Sequence, residues 1–218
     1  MNWKLMAYGL AAVVALSAVQ PAQGAYGGSG TFTKITSLGD LTDGYYVIVN
    51  STDTNAMNNV NAGTFFTHTV VAPSANTLTD PAASIVWRIQ TNATYGGHTI
   101  FNEASARYVS YSGANNYSYS VAAVNGTTGV WTFAYGTTFA CANKAAPTRI
   151  LQYNAGAPRF ACYTSAQQQL LLYKLQEAAA TPPAFGANPG PLGATSGVAR
   201  AFAVTATGSP SPPLALQS

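Results

Sequence analysis

Three short segments, repeated at one spacing, constrain this chain more than anything else in it. "SIVWRIQ" closes at Gln90, "GVWTFAY" at Tyr135 and "LLLYKLQ" at Gln176. Aligned on Trp87, Trp131 and Tyr173, they recur after about 44 and 42 residues. A period of this size marks repeated supersecondary units that bury their apolar faces against one another. Each unit opens with a glycine leading an apolar stretch to an asparagine: Gly44 and Asn50, Gly97 and Asn102, Gly136 and Asn143. A second apolar stretch follows in "RYVSYS" from Arg107 and "RILQYN" from Arg149, with a more degenerate "AMNNV" at 56–60 in the first unit. A third, "GTFFTHTVV", "NNYSYSVAAV" and "PRFACYTS", precedes each closing segment.

Alternation identifies these stretches as strands. In "NYSYSV" the residues Tyr117, Tyr119 and Val121 fall on one face, with Ser118 and Ser120 on the other, a period of two that no helix produces. Val, Ile, Thr, Tyr and Phe suit a pleated, half-buried surface, and Gly, Asn, Pro and Ser punctuate the turns between them. The chain is therefore all-β. Three four-strand units over residues 31–177, at about 31–92, 93–135 and 136–177, resemble a β-trefoil. That resemblance implies a six-stranded closed barrel capped by three hairpins, with Trp87, Trp131 and Tyr173 as equivalent core aromatics about a threefold axis. The alternative is a two-sheet β-sandwich, which four-strand periodicity alone does not exclude.

The two ends read differently. Lys4 precedes an apolar run at 5–19, and Ala22, Gln23 and Gly24 supply small residues for cleavage after Gly24, the pattern of a secretory signal peptide. Residues 1–24 are then removed, no later segment spans a membrane, and the product is secreted, to the medium or the cell surface. "GGSG" within 25–30 is a flexible new N-terminus rather than a phosphate loop, since no helix follows it. From residue 178 the composition turns to Pro, Gly and Ala, a linker. The stretch at 201–206 then alternates as a strand before a Pro-rich turn. It resembles the opening of a bacterial immunoglobulin-like module, although such a sandwich needs about seven strands.

Composition narrows the function. Only 7% of residues are charged while 13 are Tyr, the reverse of a disordered chain. The basic residues are scattered, without the stripe that a nucleic-acid groove requires, so no nucleic-acid partner is expected. Cys141 and Cys162, about twenty residues apart, are expected to bridge in an oxidising compartment. Such a loop is worth about 3 kcal/mol. Two buried free thiols are the alternative.

No catalytic constellation emerges. His68 and His98 lie in different units, and Asp40, Asp43, Asp53, Asp80, Glu103 and Glu177 are mostly in turn contexts where Asp bonds local backbone. No G-x-S-x-G elbow is present. Neither metal nor cofactor is expected.

More distantly the repeat is similar to ricin-type lectin trefoils, which implies sugar binding. Those carry Gln-x-Trp near the end of each repeat; here the residues two before the aligned aromatics are Ile85, Gly129 and Leu171. Their early acidic residue has a counterpart only in Asp43. No inherited sugar site can therefore be assigned.

Tyr rings beside Asn and Ser nevertheless suit glycans, because a ring face stacks on a sugar while amides bond its hydroxyls. The richest such stretch is "YSGANNYSYS", which nominates Tyr111, Asn115, Asn116, Tyr117 and Tyr119, with Tyr153 at the offset of Tyr111 in the next unit. Against this, Tyr117 and Tyr119 could simply face the hairpin cap. The expected function is a secreted, monomeric, non-catalytic module binding a glycan or another extracellular or cell-surface polymer. The alternative is an accessory N-terminal region of a secreted multidomain hydrolase of nuclease or phosphoesterase type.

Overall fold

Each unit contributes its first and last strand to a ring and its middle two to a hairpin. The computed structural model describes residues 25–111 and 113–176 and, beyond them, only the two-residue strands Ala203–Val204 and Leu214–Ala215. In the first unit the strands are β1 (Thr31–Lys34), β2 (Gly44–Asn50), β3 (Asn55–Asn61), β4 (Phe66–Val70), β5 (Thr77–Thr79) and β6 (Val86–Thr91). The second unit has β7 (His98–Asn102), β8 (Arg107–Tyr111), β9 (Ser118–Val121) and β10 (Trp131–Tyr135). The third has β11 (Phe139–Asn143), β12 (Ile150–Asn154), β13 (Arg159–Tyr163) and β14 (Leu170–Leu175).

The antiparallel pairings run β2 to β6, β6 to β7, β7 to β10, β10 to β11, β11 to β14, and β14 back to β2. Six strands thus close on themselves, which removes sheet edges. Three hairpins, β3–β4, β8–β9 and β12–β13, extend from the ring. This is a β-trefoil, and ring closure excludes the sandwich.

Strand alternation sorts the apolar residues into two clusters. Tyr46, Ile48, Trp87, Ile89, Ile100, Trp131, Phe139, Leu170 and Leu172 fill the barrel with Val109, Leu151 and Phe160 from the hairpins. The intervening residues Tyr45, Val47, Val49 and Tyr173 point outward, yet they too are buried, together with Phe32. The reason is β1, which pairs with β14 and carries β5 on its other side. These two strands lie outside the threefold pattern and account for the greater length of the first unit. Every residue of β2 is buried as a result.

The register corrects one expectation. Trp131 lies opposite Asn143, Leu170 lies opposite Asn50, and the step next to Arg88–Phe101 places Trp87 opposite Asn102. The third member of the set is therefore Leu170, not Tyr173. Tyr173 lies three positions further on, an odd offset, so it faces the other side of the strand. Its ring joins the outer cluster under β1, and its hydroxyl donates to Asp53 at 2.7 Å. Trp87 and Trp131 donate their indole N–H to the carbonyls of Met57 and Val109 at 2.9 and 3.1 Å. Leucine has no such donor, so the third sector lacks this bond.

The recurring asparagines are latches between sectors. Asn102 donates to the carbonyls of Ala83 and Val86, and Asn143 to those of Thr128 and Val130. Asn50 donates to the Gln168 side chain. Each thereby holds the segment entering the closing strand of the preceding unit. Gly97, with φ +137°, is required for a related reason: a Cβ there would stand 2.8 Å from the Trp131 carbonyl oxygen.

The cysteines are free thiols rather than a bridge. Cys141 on β11 and Cys162 on β13 both pair with Leu151 of β12, one from each side. Two strand spacings put their backbones about 9–10 Å apart, beyond the ~7 Å limit for a disulfide.

Contacts divide the chain at Gln176. In the following unit Ala203 and Val204 pair antiparallel with Ala215 and Leu214. The expected signal segment at 1–24, Ser112 and most of the linker and immunoglobulin-like stretch at 178–218 lie outside the described residues. Among those described, no helix is long and apolar enough to cross a membrane.

Candidate functional site

The three hairpins meet. Ser118 N donates to the Thr64 carbonyl, Cys162 N donates to the Asn116 carbonyl, and Phe160 pairs with Phe66, so every pair of hairpins is tied through backbone. At this junction lies an open cleft of about 170 Å³ lined by residues of all three hairpins. Thr64 and Phe65 come from the first; Asn115, Asn116 and Tyr117 from the second; Arg159, Ala161 and Tyr163 from the third. Phe65 and Tyr117 directly precede the return strands β4 and β9, and Arg159 opens β13.

The lining is held in place. The Arg159 guanidinium stands 5.2 Å from the Phe65 ring centre, and its Nε donates to the Tyr163 hydroxyl at 3.3 Å. A cation over an aromatic face is attracted by the ring quadrupole. Arg149 donates from Nη1 to Asn116 Oδ1 at 2.8 Å and lies 5.8 Å from the Tyr111 ring. Arginine only donates, so this bond sets the Asn116 carboxamide with its oxygen toward Arg149 and leaves Nδ2 without a partner among the described residues. Asn115 is exposed at the turn with φ 44°, a left-handed conformation that Asn tolerates better than most residues. The cleft thus presents rings, carboxamides and one guanidinium, but no carboxylate and no imidazole.

Of the six nominated residues the structure brings three, Asn115, Asn116 and Tyr117, into this cleft. Tyr119 is half-buried beside Tyr117, edge to face at 6.1 Å. Tyr111 and Tyr153 are each only 4% exposed. They belong to the core, so neither ring face can receive a ligand. Tyr153 packs against His68 and Phe160, and burial raises its phenol pKa. Beneath the cleft, burial pushes the Cys162 thiol up to about 12, partly offset by Ser118 and the Arg149 charge. Such a thiol is inert at neutral pH.

The contributions of Phe65, Arg159 and Tyr163 were invisible in linear sequence because they lie in other units. Phe65 and Arg159 stand at the tips of different hairpins, so only the meeting of the three hairpins brings them together.

Two other hollows are less suited to a ligand. A groove of about 410 Å³ along Gln90, Thr91, Thr99 and Ala122 has one ring, Tyr108, which is packed on Phe101 at 4.5 Å. A second, of about 240 Å³, is bordered by Tyr26, Tyr45 and Glu103. The Glu103 carboxylate there is already engaged by the Tyr45 hydroxyl, Arg88 and Tyr26 N.

No family model and no curated protein matches this sequence. Solved structures do match in fold. A mosquitocidal holotoxin superposes with a TM-score of 0.50 at 15% identity, over 64% of this chain and 18% of its own. A lectin from Polyporus squamosus, solved with a Neu5Ac-containing human-type influenza-binding epitope, gives 0.50 at 12% identity, over 61% of this chain and 49% of its own. An endo-β-galactosidase from Clostridium perfringens gives 0.50 at 9%, over 61% and 32%. The chain therefore spans between a fifth and a half of these proteins, and the likeness is one of fold.

Proposed function

We propose that residues 25–176 form an exported, non-catalytic module that binds a glycan at the junction of its three hairpins. The observation carrying this reading is the cleft itself. Phe65 and Tyr117 are partly exposed rings beside the outward amides of Asn115 and Asn116, the pairing of apolar face and hydrogen-bonding edge that a sugar ring needs. Its volume of about 170 Å³ is below the roughly 300–1,000 Å³ of sites that enclose drug-sized molecules. The cleft suits one sugar residue, with the rest of the ligand over the rim. Its lining lacks a general acid or base, which supports binding without turnover. The Polyporus lectin shows that a chain of related fold can hold a saccharide; for this protein the proposal stands on the lining.

The test is a glycan array probed with the full chain, alongside Tyr117→Ala. Binding above background that falls at least tenfold in the variant is the expected result. An array without signal removes the reading. A second reading, an accessory region of a larger secreted hydrolase, is favoured by the small share of the compared proteins that this fold occupies, 18% of the holotoxin and 32% of the galactosidase. Sequencing the gene beyond Ser218 and finding no catalytic domain would end it.

A further inference from the structure

The charges of the described module are segregated. Hairpin segments 55–70, 107–121 and 149–163 contain no Asp or Glu. The carboxylates lie elsewhere, and each is engaged locally. Asp40 accepts from Ser37, Asp43 from Thr91, and Asp80 from Gly30 N. Asp53 pairs with Lys34 and accepts from Tyr173, and Glu103 pairs with Arg88. None of these bonds reaches Arg149 or Arg159. Those two arginines are held by neutral partners, Asn116 and Tyr163, and by aromatic faces.

A guanidinium stacked on a ring and fixed through one N–H keeps its remaining N–H groups on a preset fork. That fork matches the two oxygens of a carboxylate, or two of a sulfate, bidentately. The neighbouring free donor is Asn116 Nδ2, oriented by Arg149. The charged side of the cleft therefore offers donors held in position and a positive field without a compensating carboxylate, so an anion approaching it meets no repulsion.

We propose that the cleft selects an acidic saccharide, with the carboxylate or sulfate group seated against Arg159 and Asn116 and the sugar ring against Phe65 and Tyr117. This rests on the glycan reading above and narrows it to a ligand class.

The test titrates the full chain against four immobilised probes: a glucuronate-terminated oligosaccharide, its glucose-terminated neutral counterpart, a sulfated form of that neutral glycan, and single-stranded DNA of similar charge. At least one acidic glycan is expected to bind tenfold or more tighter than the neutral glycan and the DNA. The glucuronate and sulfated arms separate carboxylate from sulfate recognition. Arg159→Gln should abolish the preference while lowering the melting temperature by no more than about 2–4 °C, and Arg159→Lys should recover only part of the preference, because a point charge lacks the fork. Equal binding of neutral and acidic glycans, or a preference surviving Arg159→Gln, overturns the acidic class but leaves glycan binding intact. Equal binding of DNA and acidic glycan overturns it in favour of charge alone. Silence from every saccharide overturns both readings.

Discussion

Asn102 offers the sharpest test of how the sectors are joined. Its side chain is fully buried. Nδ2 donates to the carbonyls of Ala83 at 3.0 Å and Val86 at 2.9 Å, while Oδ1 accepts from Ser105 N and Asn59 Nδ2, each at 2.9 Å. Asn102→Ala strips partners from three backbone groups and leaves a small void. A buried group left unpaired costs about 1–3 kcal/mol, and part of that loss is recovered by relaxation, so a total near 3 kcal/mol is expected. For a domain of roughly 150 residues, each kcal/mol moves Tm by about 2–4 °C, giving a fall of about 6–12 °C. Asn102→Asp adds a sign. It turns the donor into an oxygen facing two carbonyls, which raises the folded-state carboxyl pKa above its unfolded value near 3.9. A raised folded pKa means stability is retained below the unfolded pKa and lost as pH rises. The aspartate variant should thus deteriorate between pH 4 and pH 7 relative to the alanine variant. Thermal unfolding followed by the fluorescence of the buried Trp87 and Trp131 reads both effects, with the exposed Asn125→Ala as control. An Asn102→Ala melting temperature matching the control, or an aspartate variant indifferent to pH, would refute the latch.

Other consequences are open to measurement. Leu170→Ala should cost about 2–5 kcal/mol as a large-to-small change in the barrel, and Tyr173→Phe about 1.5–3 kcal/mol, the worth of a hydrogen bond to a carboxylate; a Leu170→Ala cost below about 1 kcal/mol in denaturant titrations would contradict the register. Ellman's reagent should find no reactive thiol in the native chain at pH 8 and two after denaturation, and an intact mass two daltons short of the reduced chain would contradict the strand order. Because burial raises the Cys141 and Cys162 thiols, their contribution to stability should be complete below the ordinary thiol value near 8.5 and decline as pH rises above it, for Cys162 toward about 12; substituting both with Ala should flatten that decline. Burial lowers the His98 pKa, so acidification through the ordinary imidazole value near 6.5 should destabilise the wild type more than His98→Gln.

Much of the architecture could be read along the chain because its causes are local or repeated. A 42–44-residue period, alternation within "NYSYSV" and a glycine-to-asparagine spacing shared by three units demand equivalent four-strand sectors, and three such sectors have few ways to bury their faces except around one axis. Asn115, Asn116 and Tyr117 could be picked out for the same reason: an unusual cluster within one hairpin is a local property. Register is different. Tyr173 resembles the tryptophans in chemistry, but hydrogen-bond pairing counts residues rather than chemistry, and three positions set it on the barrel's outer side with Leu170 inside. Nor does spacing along the chain reveal that β12 intervenes between Cys141 and Cys162, or that β1 and β5 cover the outer face of β2. The cleft unites Phe65, Tyr117 and Arg159 across nearly a hundred residues, and such distant side chains converge only once the ring has closed.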